Sequence, residues 1–308
     1  MTEKRRVLLV THTRREPAVA AMLETMKILS DQGIQAVVTA AQFDEANQVL
    51  GIHPLFHTVE ILDRDCSLAD LELVMVLGGD GTILKAAEIV RETATPLMGI
   101  NLGHVGFLAE SEHDALHATV ARVVARDYVV KERLTLDVSV LVDGQEIYKT
   151  WALNEATVEK STAEKMLEVV VEIEERPLTS FGCDGIVIST PTGSTAYAFS
   201  AGGPVVWPSV EAILVVPLSA HALFSRPLVI SPTTLVAVEV LQRSAGHGVL
   251  WCDGRRTQSL PPGARVEVRR SDKSVRLARL RQSSFTDRLT RKFSLPVSGW
   301  RGPDQPQD

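Results

Sequence analysis

The chain has 308 residues, 45% of them hydrophobic and 23% charged, with a formal net charge of −6. That length is enough for two domains with sizeable cores, and the composition is ordinary for a soluble globular protein. The negative balance argues against nucleic acid as the main partner, and no apolar run reaches the ~18 residues of a membrane-spanning helix.

The N-terminus passes from Lys4-Arg5-Arg6 straight into a short apolar strand, without the apolar region of a signal peptide. Arg6 to Val10 reads as the first strand. Glu16-Pro17 opens a helix with Met22, Leu23, Met26 and Leu29 as its apolar stripe, and Gly33 closes it. Ile34 to Val38 is a second strand, so β-α-β is complete within the first forty residues, the start of an α/β sheet. Residues 43–70 carry weaker patterns that fit a short helix and a connecting strand. Leu73-Val74-Met75-Val76-Leu77 is a buried parallel strand by its unbroken apolar run. It ends in Gly78-Gly79-Asp80-Gly81-Thr82, and a helix is predicted over 83–92 from Ile83, Leu84, Ala87 and Val90. Thr95-Pro96 leads into another buried strand, Leu97 to Ile100, which ends in a second glycine-bearing turn, Asn101 to Leu108. In an open parallel sheet such strand ends face one crevice. Ser111 to Asp114 reads as a capping-box variant opening a helix through about Arg126.

Near Tyr128 the period changes to two, with Leu134, Leu136, Val138, Val140 and Val142 on one face. Asp143-Gly144 is a hairpin turn signal. Further strands are predicted at 145–152, 166–174, 184–190, 211–217, 226–230, 234–241, 248–252 and 264–270. The fold class is therefore an α/β N-terminal domain with a mostly parallel sheet, plus an all-β C-terminal domain of two antiparallel sheets. The boundaries are drawn at 1–128, with about 282–308 returning to it, and 129–281. The returning tail has Phe285, Leu289 and Phe293 at helical spacing; residues 302–308 read as disordered.

Four stretches could carry chemistry. A glycine pair alone would be only a tight connection. Three glycines around an acid, at the end of a buried strand, point to phosphate cradled by backbone N–H groups. Asp80 beside a phosphate is tolerable only if it holds a cation or accepts a hydroxyl proton. The turn is neither a Walker A loop nor a GxGxxG fingerprint. Gly99 to Gly106 reads as a second wall of the same crevice. Ser189 to Pro204 is rich in hydroxyls and glycines, with Tyr197 and Phe199 among them; its Ser and Thr side chains could donate to phosphate, ribose or base edges. Asn154-Glu155, read as the end of strand 145–152, could grip two ribose hydroxyls or be a plain polar strand end. His113 and His117 have metal-ligand spacing but lack a third ligand, so no metal is assigned to protein side chains. The triplets Cys183-Asp184-Gly185 and Cys252-Asp253-Gly254 read as two ordinary Asp-Gly turns. Three scattered cysteines read as reduced, in a cytoplasmic protein.

Taken in order, Leu-Gly-Gly-Asp-Gly-Thr at 77–82, Gly-Ile-Asn-Leu-Gly-His-Val-Gly-Phe-Leu at 99–108, Leu-Asn-Glu at 153–155 and Asp-Gly-Ile-Val-Ile-Ser-Thr-Pro-Thr-Gly-Ser-Thr-Ala-Tyr at 184–197 resemble the bacterial NAD kinases. Ala-Phe-Ser-Ala-Gly-Gly-Pro after Tyr197 resembles the actinobacterial branch. The resemblance covers nearly the whole chain. It implies transfer of the γ-phosphoryl group of ATP to the 2′-hydroxyl of the adenosine ribose of NAD, giving NADP. Carried over by motif, Asp80 is the base or hydroxyl-orienting group, and Gly78, Gly79, Gly81 and Thr82 hold ATP phosphates. Asp80, Gly81, Lys85, Asn154, Glu155, Lys165, Asp184 and the run Thr195, Ala196, Tyr197, Ala198, Phe199 and Ser200 face NAD. The resemblance also implies Mg²⁺ or another divalent cation, and a homo-oligomer, tetramer or dimer. The cleft between the two domains is then the expected active site. Where family members often carry Asn-Ala-Arg-Pro, this chain reads Leu223-Phe224-Ser225-Arg226-Pro227. A lipid kinase would share the first glycine turn, but not the second block or the Asn-Glu pair. A dinucleotide sensor would have no use for the acid.

Overall fold

A computed structural model describes residues 4–13, 15–50, 53–102, 106–109, 111–112, 115–162, 165–280 and 284–297. The chain divides into two compact units, Met1–Glu132 with Arg276–Asp308, and Arg133–Val275.

In chain order the first unit contains β1 (Arg6–Thr11), α1 (Glu16–Asp31), β2 (Gln35–Val38), α2 (Ala40–Leu50), β3 (Glu60–Ile61), β4 (Leu73–Leu77), α3 (Asp80–Ile89), β5 (Leu97–Asn101), β6 (Ser111–Glu112), α4 (Leu116–Val124) and β7 (Val129–Arg133). The second unit follows with β8 (Leu136–Val142), β9 (Gln145–Ala152), β10 (Glu155–Lys160), β11 (Leu167–Ile173), β12 (Arg176–Cys183), β13 (Gly185–Ser189), α5 (Tyr197–Ser200), β14 (Ile213–Leu218), β15 (Leu228–Ile230), β16 (Val236–Val240), β17 (Gly248–Cys252), β18 (Arg256–Leu260) and β19 (Arg265–Arg270). β20 (Val275–Arg279) and α6 (Phe285–Phe293) close the chain.

The first sheet runs β3-β2-β1-β4-β5-β20-β7, with β6 paired to β5. Its pairs β1–β2, β1–β4 and β4–β5 are parallel. Strand order reverses between β1 and β4, and ligands of such sheets bind beyond the strand ends at that switch. β4 and β5 are buried at every position, as their unbroken apolar runs require. α1 seals one face with Ala21, Met22, Met26 and Leu29.

The second unit holds two six-stranded antiparallel sheets, β15-β14-β13-β10-β17-β18 and β12-β11-β16-β19-β8-β9. Val138, Val169, Val238 and Val266 of one sheet meet Val158, Ile186, Ile188 and Leu250 of the other in one core.

The structure differs from the sequence reading at several edges. α3 begins at Asp80 rather than at 83, so Gly81 and Thr82 form its first turn. Ser111–Glu112 is a short strand, and α4 starts only at Leu116; residues 113–114 of the expected capping box lie outside the described residues, as do 302–308. β7 and β20 extend the first unit's sheet, which moves the division to 132/133 and 275/276 from the expected 128/129 and 281/282. β10, β12 and β18 were not foreseen as separate strands.

Candidate active site

The first glycine turn is tied to three strand ends. Thr11 Oγ1 donates to the Leu77 carbonyl at 2.8 Å, and the Gly78 N–H donates to the Ile100 carbonyl at 2.9 Å. A Cβ on Gly78 would stand 2.6 Å from Thr82 Oγ1, so only glycine lets α3 fold back this closely. At Gly79 and Gly81 a Cβ would meet nothing within 4 Å, which leaves those backbones open to a ligand at the start of α3.

Asp80, half-buried, is held by the second glycine block. Its Oδ2 accepts from the Phe107 N–H and its Oδ1 from the Leu108 N–H, each at 3.1 Å. Gly106 makes this approach possible, because a Cβ there would lie 2.4 Å from Asp80 Oδ1. Residues 103–105 of the block lie outside the described residues. Lys85 is exposed on α3.

In the second unit the Asn154-Glu155 pair is not the end of a strand, as the sequence reading had it. β9 stops at Ala152 and Glu155 opens β10, with Leu153 and Asn154 as the bend between them. The bend is folded around a carboxylate that the sequence reading dismissed. Asp253, 6% exposed, accepts from the N–H groups of Leu153 at 3.0 Å, Asn154 at 2.7 Å and Glu155 at 3.4 Å. Arg256 Nη2 donates to it at 2.7 Å, while the same guanidinium lies 4.6 Å from the Trp151 ring. Asp253 and Gly254 both have positive φ, 54° and 63°, so the triplet is a hairpin turn whose first side chain points inward. The Asp-Gly signal was visible; the burial depends on β17 pairing with β10, with Cys252 opposite Ala156. The other triplet is different. Asp184 forms a surface ion pair with Lys160 at 2.6 Å, and that partner holds its carboxyl below the usual range.

Asn154 and Glu155 are each 7% exposed, yet Asn154 Oδ1 and Glu155 Oε2 have no hydrogen-bond partner among the described residues. Buried polar atoms without partners are costly, and two ligand hydroxyls, one bonding each oxygen, would satisfy them. Burial and the neighbouring Asp253 charge push the Glu155 carboxyl up to about 8, against the backbone N–H of Tyr197, which draws it down.

The hydroxyl-rich loop packs against the same bend. A Cβ on Gly193 would stand 2.1 Å from the Asn154 carbonyl, so glycine is required there. The expected hydroxyl donors are partly spent on the fold itself. Ser189 Oγ donates to the Asn154 carbonyl at 3.1 Å, Thr190 Oγ1 to the Leu153 carbonyl at 2.6 Å, and Ser194 Oγ to the Pro191 carbonyl at 2.7 Å. All three are fully buried and are therefore scaffold. Tyr197 and Phe199 remain exposed beside them, Ser200 is exposed, Thr195 and Ala196 are half-buried, and Ala198 is buried in a small apolar cluster. Burial, then the charges of Glu159, Glu155 and Asp184, push the Tyr197 phenol up, so Asp184, at the start of β13, lies within electrostatic reach of this group. Lys165 is exposed, next to Gly246. His117 pairs with Glu24 at 3.1 Å, and His113 lies outside the described residues.

Two family models match the chain: the ATP-NAD kinase N-terminal domain over residues 7–128 and the ATP-NAD kinase C-terminal domain over residues 153–280. An NAD kinase of Leifsonia xyli is 58% identical over 304 residues, covering 99% of this chain and 99% of its own. NAD kinase 2 of Streptomyces coelicolor is 58% identical over 301 residues, covering 97% of each. Among solved structures, yeast NADH kinase complexed with NADH aligns at a TM-score of 0.83 and 22% identity, over 97% of this chain and 90% of that one. At that identity the likeness speaks for the fold.

Proposed function

The chain belongs to the ATP-NAD kinase family and transfers the γ-phosphoryl group of ATP to the 2′-hydroxyl of the adenosine ribose of NAD, and we propose which of its residues do so. Asn154 and Glu155 grip the ribose hydroxyls. The observation that carries this reading is the pair of buried, unsatisfied oxygens in the bend held by Asp253. Asp253 is a positioning residue for that bend. Tyr197 and Phe199 offer exposed aromatic faces for a base or the nicotinamide end.

Asp80 is the group that orients the 2′-hydroxyl and accepts its proton as the phosphoryl group arrives. A ribose hydroxyl is a poor nucleophile until a placed acceptor draws its proton. Both carboxylate oxygens are aimed by backbone donors, which fixes the direction of that acceptor. Gly78, Gly79, Gly81 and Thr82 line the phosphates at the start of α3, and Lys85, exposed on the same helix, is a cationic contact to NAD.

The donor set suits Mg²⁺ brought in as a complex with ATP. Among the described residues no group of three or more His, Cys, Asp or Glu could hold a metal ion. Mg²⁺ is generally held through substrate phosphates and waters with one or two carboxylates, and Asp80 is the carboxylate this turn would offer. When bound, the ion would neutralise charge on the phosphates that the backbone donors orient. Lys165 and Asp184 are assigned to NAD as well, Asp184 within electrostatic reach of Tyr197. The same reading makes the protein a cytoplasmic homo-oligomer. Its free thiols and its exposed apolar side chains at Val210, Leu223 and Phe224 support this.

Asn154→Ala tests the ribose assignment. Removing one buried hydrogen bond should raise KM for NAD by roughly 5- to 30-fold. KM for ATP should hold. An unchanged KM for NAD would remove Asn154 from the site.

A further inference from the structure

We propose that Arg279, the last residue of β20, is a positioning residue for the phosphoryl transfer, acting on Asp80 through the peptide between Phe107 and Leu108. The proposal rests on the reading of Asp80 given above.

Arg279 is 5% exposed, and its guanidinium grips the loop from the side opposite the acid. Nη1 donates to the Ala109 carbonyl at 3.1 Å and Nη2 to the Phe107 carbonyl at a longer 3.4 Å. The Phe107 carbonyl and the Leu108 N–H belong to one peptide group. That N–H is the donor to Asp80 Oδ1 at 3.1 Å. A chain of hydrogen bonds therefore runs from cation to peptide to carboxylate. A charged donor on the carbonyl polarises the peptide and strengthens its N–H as a donor, and such chains reinforce one another where water is excluded. A planar fork that spans two carbonyls also fixes the loop's orientation, which a single ammonium could not do.

The loop has a second support from the same end of the chain. The Phe107 ring meets those of Phe285 and Phe293 in α6 at centroid distances of 5.9 and 5.8 Å. Residues 107–109 are thus held by a strand and a helix that lie about 170 positions further along the sequence. Neither Arg279 nor α6 belongs to a motif that names its role. Arg276, three residues earlier on β20, is the internal control. It is half-buried and bonds Glu132 at 3.2 Å and the Ala94 carbonyl at 3.3 Å, with no hydrogen bond to the loop among the described residues.

The test is steady-state NADP formation by the full-length protein as wild type, Arg279→Lys, Arg279→Gln, Arg276→Gln and Asp80→Asn, each checked for a cooperative thermal transition. Misplacement of a reacting group by about an ångström costs on the order of 100-fold. Arg279→Gln should therefore lose kcat by about 10- to 100-fold, with KM for NAD and for ATP little changed. Arg279→Lys, which keeps charge and most of the packing, should fall between it and wild type. Arg276→Gln should match wild type. A folded Arg279→Lys and Arg279→Gln with wild-type kcat, while Asp80→Asn is inactive, overturns the role of Arg279 and leaves that of Asp80 standing. A loss expressed in KM alone also overturns it. If Arg279→Gln does not fold, Arg279→Lys alone decides. Full activity in Asp80→Asn would instead remove the reading on which the proposal rests.

Discussion

Two carboxyl groups that look alike in the sequence stand in different surroundings. Asp80 sits half-exposed with a backbone donor on each oxygen, as its proposed role of hydroxyl acceptor requires. Glu155 is buried beside Asp253, and its carboxyl is pushed up to about 8. In the unfolded chain Glu155 would titrate near its ordinary value of 4.5. Between those two values the folded state holds a proton that the unfolded state has released, so stability falls as pH rises. The contribution is full below about 4.5 and lost by the time pH passes about 8. Glu155→Gln cannot ionise. Thermal melts from pH 5 to 9 should show a smaller decline for this variant than for wild type; parallel curves would reject the buried-proton account. At the second glycine block, Gly106→Ala would push a methyl group against Asp80 Oδ1, where the built Cβ stands 2.4 Å away. It should cut kcat by about 10-fold or more while the melting temperature moves little. A melting temperature that collapses together with kcat would indicate a fold defect instead.

At the scale of elements, the turns decide what the sequence could disclose. β4 and β5 were legible because buried parallel strands are unbroken apolar runs. Asp143-Gly144 was legible because its residues suit positive φ, 50° and 76° here. The hairpin of β11 and β12 turns instead on Glu174 and Glu175, at φ 54° and 62°. Glutamates carry no such signal, and β12 went unseen with them. β10 was hidden for a related reason. Its boundary with β9 is made by Asp253 bonding the N–H groups of 153–155 from about a hundred residues away, a contact no local pattern announces. Asp253→Ala should then act on the whole bend. Breaking a buried carboxylate–arginine pair costs about 3 kcal/mol or more, and three backbone donors lose their acceptor as well. Chemical denaturation should register that loss, and KM for NAD should rise with it. A stable variant with normal KM would show that the bend holds itself.

For the whole molecule, each unit has its own core, and the proposed roles assign them different parts of one reaction. The first unit's core is gathered around β1, β4 and β5, the second's between two antiparallel sheets. Strand β20 and helix α6 return to the first unit after the β unit is complete, so the first unit is made of two separated stretches of chain. A ligand that binds only the folded protein stabilises it by about 2.7 kcal/mol at a hundred times its dissociation constant. Saturating NAD should therefore raise the melting temperature of wild type and of Asp80→Asn alike, and do so much less for Asn154→Ala. That pattern separates holding the dinucleotide from acting on it.

The most direct measurement is kcat for NADP formation from NAD and MgATP by Asp80→Asn, with NAD binding measured on the same preparation. An amide in the same place keeps the shape of the side chain but cannot take the proton. The account predicts that kcat falls by about 100- to 10,000-fold while the NAD dissociation constant stays near that of wild type. Wild-type kcat in a variant that binds NAD normally would contradict it.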